Sequence, residues 1–285
     1  MNNVKISVNN GNNPDYENMF NDLVQEVFKF SFSPWFERKL WDENYESYSI
    51  IEDGKMLANM CVYKSEMIVC GEVIRANQFG TVATRKSERG KGLSRILMEH
   101  VLSLYPDNPT YLSANPSVID FYPRFGFRQV QTHKPEVAVE INNNPSRAIK
   151  YKLGDPEFVN AFNNRGFHSK MLDCINSQSI QMFHLLMEYG NDIYYLPNLD
   201  VIVIAQQEDN RLFLADVIAK KPVAFDLIKK ELPFDGVGIV EFGFYPDWLD
   251  VTPTWIPESK NEDPFFIKGE WNLPGKYRFP AMSQT

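Results

Sequence analysis

The residues best suited to chemistry lie in one run, Val82-Ala83-Thr84-Arg85-Lys86-Ser87-Glu88-Arg89-Gly90-Lys91-Gly92-Leu93-Ser94. A strand ends there, a turn with two glycines and four basic side chains follows, and an apolar helical stripe begins. Glycine lets a backbone approach an anion closely, and the first N–H groups of a helix have no internal partners. With the positive end of the helix dipole, they predict a phosphate site at Arg89-Gly90-Lys91-Gly92. Arg85, Lys86, Arg89 and Lys91 are expected to strengthen the local field. The run is neither a Walker loop, since no Gly-Lys-Ser/Thr follows, nor a GxGxxG fingerprint.

The elements that must position this turn can be read on both sides of it. Leu93, Ile96, Leu97, His100, Val101 and Leu104 form a single stripe facing a sheet. Upstream, Phe20, Leu23, Val24, Val27 and Phe28 recur at helical spacing after Asn13-Pro14-Asp15, and Ser33-Pro34 opens a short helix through Leu40. Asp53-Gly54 predicts a tight hairpin between strands at 47–51 and 56–63. A strand from Val73 to about Thr84 follows the turn at Cys70-Gly71-Glu72. Downstream come a strand at 110–114, a short helix at 116–123 and a strand from Phe127. The order is that of a mixed α/β domain with its principal helix on one face.

A polar, Asn-rich stretch with Pro145 predicts a division into 1–141, a linker at 142–152, and 153–285. The second part repeats the grammar faintly: a helix at 180–189, a hairpin around Glu208-Asp209-Asn210, a helix at 224–232 and a strand at 238–244. The tail from Pro246 reads as packed loop.

Composition narrows the classes. With 285 residues, 44% hydrophobic and 23% charged, the chain has material for two packed cores. No run of eighteen apolar residues predicts a transmembrane helix, and the N-terminus lacks a signal-peptide pattern. Cys61, Cys70 and Cys174 have no CxxC spacing, so a reduced cytoplasmic setting without a metal site is expected. A net charge of −8 argues against nucleic-acid binding and is compatible with a cationic acceptor. No membrane partner is expected, and the oligomeric state is left open.

The segment VATRKSERGKGLSRILMEHVL resembles the coenzyme A-binding motif of the GNAT N-acetyltransferase superfamily. Ser113-Ala114-Asn115-Pro116-Ser117-Val118-Ile119-Asp120-Phe121-Tyr122-Pro123-Arg124-Phe125-Gly126-Phe127 is similar to its second signature, and the resemblance spans roughly 15–135. The duplicated halves resemble the enhanced-intracellular-survival type, with two tandem GNAT folds. Its third, sterol-carrier-like domain would not fit in this length. The expected fold is therefore α/β with mixed sheets in two tandem GNAT-like domains, the second degenerate. There, Ala219-Lys220-Lys221-Pro222-Val223 lacks a glycine pair, and that half is expected to bind no coenzyme A and to wall the acceptor pocket.

The resemblance also implies roles. Backbone groups of Val82, Ala83 and Thr84 would hold the pantetheine arm of acetyl-coenzyme A. N–H groups from Arg89, Gly90, Lys91, Gly92, Leu93 and Ser94 would hold its pyrophosphate. Ser87 stands where the superfamily often has Gln or Arg, a change that largely main-chain contacts would tolerate. Tyr122 would protonate the departing thiolate, or else is simply packed. Asn115 either bonds the pantetheine or caps the helix before Pro116. For the base, Glu72, near a turn, is one choice; the resembled type suggests the C-terminal carboxylate of Thr285, which otherwise is a loose end. His100 reads as core, as do Cys61 and Cys70, and Trp35, Phe36 and Trp41 either line an acceptor pocket or pack. Transfer to an amine leads; another acyl group, a hydroxyl acceptor, or a non-catalytic acyl-coenzyme A sensor are the alternatives.

Overall fold

The computed structural model describes residues 5–9, 11–142, 146–262 and 264–285. The chain opens with β1 (Ile6–Asn9), then α1 (Pro14–Phe28) and α2 (Ser33–Glu37). Asn13 caps α1 by accepting from the Tyr16 N–H at 3.3 Å, and Pro14 occupies the first turn. Three long strands follow, β2 (Tyr45–Glu52), β3 (Lys55–Val69) and β4 (Glu72–Thr84), and then α3 (Leu93–Leu104). β5 (Thr110–Ser113) and β6 (Arg128–Val130) flank two short 3-10 turns at Pro116–Val118 and Tyr122–Phe125.

β7 (His133–Ile141) and β8 (Ile149–Tyr151) are followed by α4 (Pro156–Asn163), β9 (Leu172–Ile175) and α5 (Gln178–His184), which runs on as a wider turn to Tyr189. β10 (Ile193–Leu196), β11 (Val201–Glu208), β12 (Arg211–Ala219), α6 (Phe225–Glu231) and β13 (Val237–Phe242) come next. β14 (Thr254–Pro257) and β15 (Phe265–Lys268) lie in the tail. That tail is therefore not all loop, as expected from its weak periodicity; each strand is only four residues long, too short to show alternation.

Two mixed sheets result. The first runs β1-β2-β3-β4-β5-β15-β6 with β9 also on β3; the second runs β14-β7-β13-β12-β11-β10-β8. In both, a hairpin, a helix and a strand parallel to the hairpin's second arm recur: β3–β4, α3, β5 and β11–β12, α6, β13. A parallel neighbour requires such a crossover. The two halves are thus GNAT-like repeats, as the faint sequence echo suggested.

The division at 142–152 does not coincide with sheet membership. β7 precedes it yet pairs with β13 and β14, whereas β9 and β15 follow it yet pair within the first sheet. Each exchanged strand satisfies backbone groups that an edge would otherwise leave open. Asn143, Asn144 and Pro145 of that stretch lie outside the described residues.

α3 covers one face of the first sheet with Leu97, Met98 and Val101, over Met60, Val62 and Phe79. α1 and α2 cover the other with Phe20, Leu23, Val24 and Trp35, joined by Ile180 from α5. Burial of each such side chain contributes roughly 1.5–3 kcal/mol.

Candidate active site

β4 and β5 are hydrogen-bonded neighbours only at Asn77–Thr110 and Gln78–Tyr111, and then part. Just beyond, β4 carries a bulge, with Thr81 and Val82 both opposite Met60. Thr81 takes the left-handed backbone conformation (φ 47°), and Asn59 Nδ2 donates to its carbonyl at 3.2 Å. Parting strands and a bulge leave main-chain groups of β4 unpaired beside an opening, which suits an extended ligand arm with amides of its own.

The predicted phosphate turn forms. A short 3-10 turn at Lys86–Glu88 leads to Gly90 and Gly92, at φ 80° and 81°. A β-carbon added to either would meet no atom within 4 Å, so the space over the turn is open and only the backbone requires glycine. Thr84 and Ser94 share a hydroxyl hydrogen bond of 2.6 Å, tying strand end to helix start. Leu93 packs into the core beneath while Arg89, Gly90, Lys91 and Gly92 are exposed. These residues fit an acyl-coenzyme A pyrophosphate.

Two of the four basic residues, Arg85 and Lys91, are engaged within the chain. Arg85 is buried, donates to the Met56 carbonyl at 2.7 Å, and pairs with Glu26 (2.6 Å) and Asp22 on α1. It holds α1 to the sheet. Glu26 also accepts from the Lys86 N–H, chiefly for which its carboxyl lies below the usual range. Lys91 pairs with Glu88 at 2.6 Å. A positive charge in sequence says nothing about which way its side chain turns.

A cavity of about 260 Å³ sits where the strands part. Phe79, Gly80, Thr81 and Val82 of β4 line one side, and Ser113, Asn115, Val118 and Tyr122 the other. Tyr122 is buried against Phe127 and Phe266, its rings 6.0 and 5.5 Å apart from theirs. Burial pushes its phenol up to about 12, so the hydroxyl stays protonated. Asn115 lines the mouth, but its Oδ1 already accepts from the Ser117 N–H at 2.9 Å, so capping accounts for that atom and only the amide nitrogen is left to a ligand. Ala83 is buried on the opposite face, toward α1.

Thr285 reaches the same cavity. In the amide orientation that satisfies both its ends, Gln78 donates to the Ser283 carbonyl (3.0 Å) and accepts from the Thr285 N–H (2.7 Å). Gln181 Nε2 donates to Ser283 Oγ at 3.3 Å, and His184 Nε2 lies 2.6 Å from the Gln284 carbonyl. Burial, the larger effect, lowers the His184 pKa and favours the neutral ring. Glu72, the other base considered, stands at the far end of β4 beside Trp271, in a separate groove. His100 packs on Tyr48, away from the cavity. Of the three aromatics named earlier, Trp35 lines the cavity; Phe36 and Trp41 pack behind it.

Sequence reasoning missed the rest of the wall: Phe28 at the end of α1, Phe30 and Phe32 just after it, and Ile180 and Phe183 from α5. The density of phenylalanine in Phe28-Lys29-Phe30-Ser31-Phe32 was the available signal; the segment is no strand, since Phe28 ends α1 and Lys29 turns left-handed (φ 68°), and it is the chain reversal that gathers the rings.

Residues 12–130 match the family described as the acetyltransferase (GNAT) domain. Over those residues the chain is similar to a GNAT domain. This family transfers acyl groups carried on coenzyme A, and the parted strands, bulge and glycine turn lie within the matched residues. No curated protein matches the sequence. Among solved structures, Eis1 from Mycobacterium abscessus is similar (TM-score 0.55, 11% identity), over 92% of this chain and 73% of that one. A conserved Enterococcus faecalis V583 protein is similar at TM-score 0.57 and 16% identity, over 92% and 72%. A Pyrococcus horikoshii protein aligns end to end, over 100% and 99%, at TM-score 0.52 and 9% identity. At such identities the likeness concerns the fold, which extends through both GNAT-like halves. Among the described residues no helix is long and apolar enough to cross a membrane.

Proposed function

We propose that the chain is an N-acetyltransferase that moves an acetyl group from acetyl-coenzyme A to an amine by direct attack in a ternary complex. One observation carries this reading: Tyr122 and Thr285 face a single cavity that opens between β4 and β5. Main-chain groups of Val82, Ala83 and Thr84 hold the pantetheine arm, and Arg89 to Ser94 hold the pyrophosphate on the α3 N-terminus. The Asn115 amide adds a donor at the mouth.

The amine lone pair adds to the thioester carbonyl carbon and forms the C–N bond. The carbonyl then re-forms and the C–S bond breaks. The proton lost by the amine passes to the terminal carboxylate of Thr285, directly or through water, and the Tyr122 hydroxyl gives its proton to the thiolate. Amide and free coenzyme A leave, and proton return to Tyr122 closes the cycle. The second half serves as a wall, supplying Ile180 and Phe183, and binds no coenzyme A of its own: Met282 fills its apolar core beside Ala215 and Ile218.

The test is release of coenzyme A thiol by the full chain across a panel of amines. Amine-dependent release is expected. Tight acetyl-coenzyme A binding with no release above hydrolysis for any amine would overturn the proposal in favour of a sensor.

A further inference from the structure

The chain carries a net charge of −8, yet its acidity does not reach the cavity. No Asp, Glu, Lys or Arg side chain lines it among the described residues. Glu26 and Asp22, on the adjoining helix, are committed to Arg85. The polar atoms left are few. Trp35 Nε1 donates to the Ser179 carbonyl at 2.9 Å, and Tyr45 and Thr81 share a hydroxyl bond of 3.1 Å. His184 is committed to Gln284. Among the described residues that line the cavity, only the Thr285 terminus offers negative charge.

One wall of the cavity is aromatic. Phe32 and Phe183 stack at 4.8 Å, Phe30 lies 5.3 Å from Phe32 and 5.8 Å from Phe183, and Phe28 follows 6.1 Å from Phe30. Phe28 and Phe30 remain 38% and 37% exposed, so apolar surface beside the buried rings is still open to a ligand. The walls come from both halves, so their spacing is fixed by packing rather than by one loop.

We infer that the acceptor is a monoamine carried on an aromatic body, with the ring lying in the cavity against the surface formed by Phe30, Phe32 and Phe183 and the nitrogen directed at the thioester. This rests on the acetyltransferase reading above and uses the same balanced transfer. A ring gains apolar burial and edge-to-face contacts along these walls. A polyamine would instead carry its second ammonium into the same walls without a carboxylate to meet it, and a buried unpaired charge is strongly disfavoured.

The experiment compares phenethylamine with spermidine, using full-length protein and saturating acetyl-coenzyme A, with calorimetric binding of each amine measured alongside. kcat/KM should favour phenethylamine by roughly 30-fold or more, the scale on which apolar pockets discriminate. Phe30→Ser, at a half-exposed site the fold can spare, should lower kcat/KM for phenethylamine by roughly 10-fold, through KM, with the acetyl-coenzyme A Kd unchanged. Turnover of spermidine equal to or above that of phenethylamine would overturn the inference while leaving amine acetylation standing. If neither amine turns over although acetyl-coenzyme A binds, the wider amine panel decides the acetyltransferase reading. Binding then decides the pocket: phenethylamine binding that Phe30→Ser weakens supports the aromatic site, and its absence overturns it.

Discussion

Gly80→Ala is the sharpest perturbation that the structure offers. A β-carbon built on Gly80 would lie 2.8 Å from Thr285 Cβ and 3.2 Å from its carboxyl carbon, with Oγ1 nearer still. Ordinary contact begins at 3.4 Å, so the terminal residue must retreat by about 0.6 Å or more. Gly80 lies outside the left-handed region, so alanine brings no backbone strain, and the whole effect falls on Thr285. Retreat weakens the bond from the Thr285 N–H to Gln78, worth about 1 kcal/mol, and overpacking adds about 1–3 kcal/mol. Melting should fall by several degrees, with the fold intact. If the Thr285 carboxylate takes the amine's proton, displacement on the order of 1 Å should lower kcat roughly 100-fold.

Thr285→Gly removes both Oγ1 and Cβ, the two nearest clashes, and keeps a terminal carboxylate. In the Gly80→Ala background it should therefore restore most of kcat, while on its own it should change kcat only a few-fold. The assay is steady-state coenzyme A release for all four proteins, with melting curves in parallel. The cycle should give a coupling of about 2–3 kcal/mol, the equivalent of the restored rate. Gly80→Ala with wild-type kcat, or a double variant as slow as the single one, would refute the placement of the base.

Tyr122→Phe removes a hydroxyl from a ring that stays packed, so acetyl-coenzyme A affinity should change by less than about 1 kcal/mol while kcat falls roughly 100-fold or more. Because burial pushes the Tyr122 phenol up to about 12, kcat should show no alkaline loss from this group between about pH 7 and 10; a midpoint near 10 would contradict its burial. Gly90→Val places a β-branched residue at φ 80° and should abolish acetyl-coenzyme A binding in calorimetry, with melting little changed because the turn is exposed. Residues 1–141 alone lack β15, which is the neighbour of both β5 and β6, so this fragment should not melt cooperatively; a cooperative transition with ligand-dependent stabilisation would show that the first sheet closes without it.

What was legible in the sequence was local. The glycine turn, the stripe on α3 and the hairpin at Asp53-Gly54 each depend on a few consecutive residues and formed where expected. Pairing between distant segments was not legible. Phe265-Phe266-Ile267-Lys268 reads as a short apolar run, and nothing in it names β5 and β6 as neighbours. Val137-Ala138-Val139-Glu140-Ile141 belongs to the second sheet although it is continuous in sequence with the first half. Arg85 illustrates the same limit at the site: its charge suggested a phosphate ligand, but Asp22 and Glu26, 63 and 59 residues upstream, claim it. The aromatic wall was half legible, since three phenylalanines within five residues mark an apolar cluster but do not say that Phe183 will join it.

The path of the last residues explains why the two halves cannot be treated separately. β15 completes the first sheet, and Tyr277 and Phe279 then pack with Leu172 and Cys174 between the halves. The Ala281 N–H donates to the Gly243 carbonyl at 2.7 Å, just past the end of β13, and Met282 enters the second core. Ser283 and Gln284 meet Gln181 and His184 on α5, and Thr285 ends against Gly80 on β4. The tail is thus held by both halves, Ala281 to Gln284 mainly by the second and Thr285 by the first. A shift of either sheet by an ångström would move Thr285 relative to Tyr122, so the geometry of the cavity depends on how the halves pack. On this view the second half keeps its GNAT-like fold without a cofactor turn because its work is to hold the tail in place.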